Sequence, residues 1–210
     1  IGLVECLEAA KKHPHYSAPL LNGQGRGVSS GFWFNHGGET AVSLALSEDG
    51  TAALSVGTPD IGGSRASMCQ FAAEELGIDY DKVRTTIADT ATLGYNEVSH
   101  GSRVTYASGL ATIKAARDAV KKLCARAANK WGIDEEAVIW EDGFAKPSGP
   151  NAGNFDPMPL AEITKNMGKT GGPIVGHFEA TPEGAGVSFA THIVDAEVDP
   201  ETGQTKINRY

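Results

Sequence analysis

Two short stretches concentrate side chains able to hold an anion. "GGSRAS" occupies residues 62–67 and "HGSRVT" residues 100–105. Each reads Gly-Ser-Arg, then a small apolar residue, then a hydroxyl residue, and each precedes a stretch with helical periodicity. A helix N-terminus presents unpaired N–H groups and a partial positive charge, and so is suited to anions. Glycine lets the backbone approach a ligand closely. Ser64 and Ser102 can cap a helix or donate to an oxygen, Ser67 and Thr105 add hydroxyls, and Arg65 and Arg103 can each hold a phosphate through two parallel bonds. Side by side, two such entrances could grip neighbouring anionic groups, such as the diphosphate of a dinucleotide. Ordinary capping is the plainer account of either copy alone. Ser67 and Gln70 also fit a Ser-x-x-Gln capping box. The same pattern at two helix entrances leaves the two accounts level.

The remaining polar residues suggest less chemistry. His13 and His15 stand at a helix end and read as a solvated tail. His36, His100, His177 and His192 share no metal-ligand spacing, so no metal site is expected. The strand "SFATHIVDAEVD" puts His192 and Asp195 on opposite faces, against a His–Asp pair there. The sequence contains neither a Gly-x-Ser-x-Gly elbow nor a Walker loop. No residue is assigned a catalytic role.

These loops need a scaffold, and 210 residues suffice for one large domain or two small ones. Hydrophobic residues make up 40% and charged residues 21%, the balance of a folded globular chain. A net charge of −8 without a basic run argues against nucleic acid and anionic membrane surfaces as partners. Cys6, Cys69 and Cys124 are odd in number and widely spaced, which fits a reducing, cytoplasmic compartment better than a disulfide framework. Periodicity predicts helices over 3–12, 66–76, 104–129 and 159–168, the second closed by Gly77 and the last by Gly168. It predicts strands over 27–34, 40–47, 52–56 and 83–88, two more flanking "EDGF" at 141–144, and a strand–turn–strand at the end with its turn at Asp199–Gly203. "NGQGRG" at 22–27 reads as a loop, and the Pro- and Gly-rich stretch at 146–158 as a possible subdomain boundary. The class is α+β, with mixed antiparallel sheets and packed helices.

From Val56 to Ala111 the order is strand, glycine loop, "AAEELG" helix, strand, Asp-Thr, Gly-Ser-Arg loop, long helix. With "GRGVSSGFW" and "EVDPETGQTKINRY", this order resembles the molybdenum-binding large subunit of the xanthine dehydrogenase, aldehyde oxidase and carbon monoxide dehydrogenase family. The resemblance covers nearly the whole chain. It implies a molybdopterin cofactor, in the cytosine dinucleotide form of bacterial enzymes, with molybdenum. It also implies contact segments at Ile61, Gly62, Gly63, Ser64 and Arg65, and at Gly101, Ser102, Arg103, Val104 and Thr105. Relatives commonly carry Gly-Gln-Gly in the first loop, whereas Gly62-Gly63 has no Gln and one residue fewer. The second loop keeps the family pattern, so Arg103 is expected to hold cofactor more firmly than Arg65, from a solvent-facing loop whose loss spares the fold.

The family's catalytic glutamate lies beyond the "EVDPETGQ" motif and its Gly-Gly-Phe-Gly-Gly loop before position 1. The chain is therefore expected to be an internal cofactor-binding segment, inactive and without molybdenum on its own. The resemblance implies an intact parent that hydroxylates an aldehyde or N-heterocycle, a small-molecule substrate, with electrons leaving through Fe–S and FAD subunits or domains. The alternatives are a non-catalytic binding or assembly module and an isolated nucleotide-anion-binding domain.

Overall fold

The computed structural model describes residues 2–87, 89–183 and 186–210. Helices α1 (Gly2–Lys12) and α2 (Pro14–Ser17) precede strands β1 (Gln24–Phe34), β2 (Thr40–Leu46) and β3 (Ala52–Val56). Helix α3 (Ser64–Leu76), strand β4 (Val83–Ile87) and the short α4 (Thr90–Leu93) follow, then a π-turn (Val104–Ser108) running into α5 (Gly109–Trp131). The remainder is β5 (Val138–Glu141), β6 (Phe144–Pro147), β7 (Met158–Pro159), α6 (Leu160–Thr164), β8 (Val175–Ala180), β9 (Val187–Val198) and β10 (Thr205–Arg209). Among the described residues, helices combine with three separate sheets, so the α+β reading holds.

The chain divides into two compact units, residues 1–35 with 185–210, and residues 36–184. In the first unit, β1 pairs antiparallel with β9 from Gln24↔Glu197 to Phe34↔Val187, and β10 pairs with β9 on its other side. That long ladder explains why the glycine-rich stretch at 22–27 is strand from Gln24 onward rather than loop: the pairing partner overrides the low intrinsic strand preference of glycine. Within this unit, Arg26 grips Asp195 through Nε at 2.7 Å and Nη2 at 2.9 Å, and its Nη1 donates to the carbonyls of Tyr16 and Ala18. His15 Nε2 lies 3.0 Å from Asp195 Oδ2, and His15 is only 3% exposed. It thus lies buried beside the Arg26–Asp195 ion pair and is not part of a solvated tail. Asp195 has its histidine after all, but from α2 and not from its own strand.

The second unit is built on the sheet β4-β3-β2-β8, in which only β3–β4 is parallel. Alternation in β2 places Val42, Leu44 and Leu46 in the core, opposite Val56, Leu54 and Ala52 of β3. Helices α3 and α5 pack against this sheet and each other. The stripe Ala111, Ala115, Ala119 on α5 is fully buried, and a Cβ on Gly176 of β8 would overlap the Ala115 carbonyl oxygen. Small residues on both surfaces thus bring helix and strand into backbone contact.

Residues 146–158 lie inside this second unit; the divisions fall after residues 35 and 184 instead. They contain the end of β6 and a 3-10 turn at Gly149–Asn151, and they lead into β7, which pairs with β6. Helix α6 ends at Thr164, short of Gly168, because Lys165 is extended (ψ 130°) and Asn166 left-handed (φ 61°) before a 3-10 turn. The expected last residue of β4, Ala88, lies outside the described residues. The three cysteines are free.

Candidate anion site

The two Gly-Ser-Arg segments do stand at helix entrances, but not in the same register. Gly62 (φ 68°) and Gly63 (φ 82°) are left-handed, and Ser64 is the first residue of α3. Gly101 (φ 54°) and Ser102 (φ 57°) are left-handed, and Arg103 (φ −75°, ψ −28°) is the first residue with helical dihedrals. The left-handed pairs are equivalent, so Ser64 corresponds to Arg103 and Arg65 to Val104. One residue of offset is about 100° around a helix. It turns Arg65 outward and Arg103 inward.

A left-handed residue followed by a right-handed one aims successive N–H groups into a concavity that suits an anion. At the first entrance the chain fills that concavity itself. Asp60 Oδ1 accepts the Arg65 N–H at 3.0 Å and Oδ2 accepts Arg65 Nε at 2.9 Å, while Ser64 Oγ donates to Asp60 Oδ1 and the Pro59 carbonyl at 3.3 Å. These bonds, the Arg65 N–H foremost, hold the Asp60 carboxyl below its usual range. No side chain caps α3 from Gly63, and Ser67 lies within the helix, so the expected capping box does not form.

The second entrance is arranged the other way round. Arg103 is fully buried. Its Nε donates to the Gly37 carbonyl at 2.6 Å, Nη1 to Glu97 at 2.8 Å, and Nη2 to Gly38 at 3.2 Å and Glu39 at 2.7 Å. Burial lowers its pKa from the ordinary value, opposed by Glu97 and Glu39. The guanidinium expected to face solvent and grip a phosphate is instead a structural anchor for the 37–39 turn. Its side chain is not available to an anion.

The backbone around Arg103 is available. A cavity of about 290 Å³ is lined by Ile61 and by Ser99, His100, Gly101, Ser102, Arg103, Val104 and Thr105. Ile61 is 66% exposed, so the first loop contributes an apolar wall. Among the described residues, Ser99 Oγ is buried without a hydrogen-bond partner and the N–H groups of Gly101 and Ser102 donate to no acceptor. The Arg103 N–H closes a turn on the His100 carbonyl at 3.0 Å. The structure therefore brings Ile61 and 101–105 to one cavity, and ties Ser64 and Arg65 to Asp60.

The fold also assembles a group that the spacing of the histidines does not reveal. His36 Nε2 lies 3.5 Å and His100 Nε2 3.1 Å from the same oxygen, Glu97 Oε1. His100, then His36 and Arg103, hold the Glu97 carboxyl below its usual range. The His36 N–H donates to the Gly101 carbonyl at 2.9 Å, and the Glu97 N–H to Glu39 at 3.0 Å. These backbone bonds fasten the 97–101 loop to the 36–39 turn. Sequence distance hides this cluster; the only local trace is the pair Glu97 and His100, three apart.

A family model described as "Molybdopterin cofactor-binding domain" matches residues 15–210. The carbon monoxide dehydrogenase large chain of Hydrogenophaga pseudoflava is 27% identical over 81% of this chain and 22% of its own. The nicotine 6-hydroxylase large subunit of Paenarthrobacter nicotinovorans is 31% identical over 59% of this chain and 16% of its own. In structure, the reconstituted CO dehydrogenase from Oligotropha carboxidovorans superimposes with a TM-score of 0.77 at 21% identity, over 89% of this chain and 25% of that one. The chain thus spans less than a quarter of the length of the curated relatives it matches.

Proposed function

Because the chain belongs to the molybdopterin cofactor-binding domain family, we propose that the cavity at Ser99–Thr105 holds the phosphate-bearing part of that cofactor, in its cytosine dinucleotide form. Three features of the cavity fit an anionic group: the left-handed to right-handed turn at Ser102–Arg103, the free N–H groups of Gly101 and Ser102, and the orphaned Ser99 Oγ. The last carries the reading, since a buried hydroxyl without a partner costs stability unless something else pairs with it.

In this reading the chain binds and orients. Gly101 and Ser102 donate backbone N–H groups to phosphate oxygens. Ser99 and Thr105 donate hydroxyls, and Ile61 shields one side from water. Arg103 acts from behind as a positioning residue, fixing the loop through carbonyls and leaving its amides to the ligand. Gly62 and Gly63 have open space where a Cβ would stand, so the first loop leaves room for a bulky ligand. Arg65 reaches an anion only by leaving Asp60. When bound, the cofactor supplies the redox centre at which a carbon of an aldehyde or N-heterocycle is hydroxylated. The parent enzyme of this reading is cytoplasmic and passes electrons to Fe–S and FAD partners.

The test is Ser99→Ala in the full-length protein that carries this chain. Removing an unpaired buried hydroxyl leaves unliganded stability unchanged or slightly raised. Losing a hydrogen bond of about 0.5–1.5 kcal/mol to the ligand weakens cofactor binding by about two- to tenfold. Molybdenum and acid-released cytidine nucleotide are measured per folded protein under limiting cofactor supply. Unchanged occupancy in Ser99→Ala overturns the assignment.

A further inference from the structure

The geometry points to a divalent transition-metal site, of the zinc class, formed by His36, Glu97 and His100. Two imidazole nitrogens and one carboxylate oxygen are a common zinc ligand set. The candidate ligand atoms all lie within 4.8 Å of one another. With zinc–ligand bonds of about 2.0–2.1 Å, the edge of a ligand tetrahedron is about 3.3 Å. The two distances to Glu97 Oε1, 3.5 and 3.1 Å, straddle that value. Both histidines bring Nε2 to the same oxygen, and their rings are close neighbours, with centroids 5.0 Å apart and planes tilted by 34°.

The surroundings support the ligands. Arg103 Nε stands 3.8 Å from Glu97 Oε2, the oxygen left free, and so orients the carboxylate from its far side. A Cβ on Gly38 would overlap that same carboxylate oxygen, so the turn leaves just enough room for Glu97 to face the histidines. The site is open: the side chains of His36 and His100 are 45% and 48% exposed, and that of Glu97 is 21% exposed. Three protein ligands leave a fourth position for water or another small ligand. The metal would clamp the 97–101 loop onto the 36–38 turn at the wall of the anion cavity, which His100 also lines. Neither the ligand set nor the test depends on what occupies that cavity.

The experiment titrates Zn²⁺ alone into the full chain, stripped of metal and in phosphate-free buffer, by calorimetry. One site of micromolar or tighter affinity is expected. His36→Ala and His100→Ala should each weaken it by about 100-fold, at or beyond the largest loss seen on removing an outer-shell partner. His177→Ala, a half-exposed histidine elsewhere in the same unit, should leave it unchanged. Because both ligands are half-exposed, the two variants should unfold at the wild-type temperature without metal. As a readout on unaltered protein, Co²⁺ should give the visible bands of a tetrahedral site, and Zn²⁺ should abolish them. Absence of binding, or affinity that survives both His36→Ala and His100→Ala, overturns the site; so does an octahedral Co²⁺ spectrum.

Discussion

The loops before α3 and α5 share five letters of pattern and differ in what each has turned inward. At the first, a carboxylate from Asp60 occupies the concavity of N–H groups, and Arg65 lies across it near the surface. At the second, the arginine is buried on carbonyls, and the N–H groups are left facing a cavity. The difference comes from a single step of register. The chain leaves the left-handed region after Gly63 in one loop and after Ser102 in the other. A repeated sequence therefore does not place repeated side chains equivalently. Where the helix starts decides which residue points into the protein.

The largest expected effect falls on the buried arginine. Arg103→Ala leaves the carbonyls of Gly37, Gly38, Glu39 and Glu97 without their donor in a closed environment. A loss of about 3–5 kcal/mol in unfolding free energy is expected by urea titration. Arg103→Lys should recover less than half, since an ammonium cannot reproduce the planar fork. A loss below about 1 kcal/mol in Arg103→Ala would erase the contrast between the loops.

Intermediate effects test the register itself. Gly63→Ala adds no clash but forces alanine into the left-handed region, at about 1–2 kcal/mol. Ser102→Gly removes that strain from the other loop while loosening the unfolded chain, so a change between zero and about 1 kcal/mol in the stabilising direction is expected. If both substitutions shifted the melting temperature by the same amount in the same direction, the two left-handed pairs would not be equivalent.

The smallest effect is the acid dependence of the first loop. Asp60 titrates below its usual range because the Arg65 N–H and then the Arg65 side chain favour its charged form. A lowered folded pKa stabilises above the unfolded value, and the contribution is lost as pH falls through the folded one. Wild type and Asp60→Asn should therefore differ at neutral pH and converge in acid, below about pH 4. Melting curves across that window check it; a gap that widens in acid would contradict the assigned pairing.

Much of the scaffold was legible in the letters. The alternation of Val42, Leu44 and Leu46 with Ala52, Leu54 and Val56 predicts the β2–β3 hairpin, whose second strand has the predicted bounds. Gly77 closes α3 as expected, in the left-handed conformation. The recurrence of Gly-Ser-Arg led to the right corner of the fold, but not to the roles of its arginines. Those depend on the φ of Ser102 and on carbonyls at 37–39, which no local pattern encodes. The clusters His15–Asp195 and His36–Glu97–His100 were illegible for a related reason. Each joins residues far apart in the chain, His15 to Asp195 and His36 to Glu97, and their adjacency exists only once the chain has folded.

The alanine stripe of α5 bears on how sharply the second loop is defined. Alanine has no side-chain torsions to restrict, so burying Ala111, Ala115 and Ala119 forfeits no rotamer entropy. A helix seated on leucines or methionines can trade one set of rotamers for another and shift its axis as it does so. Here the backbone of α5 meets Gly176 directly, and no alternative set of torsions exists at that contact. The Arg103 loop and the π-turn lead directly into this helix. Their position is thus inherited from a contact with a single arrangement.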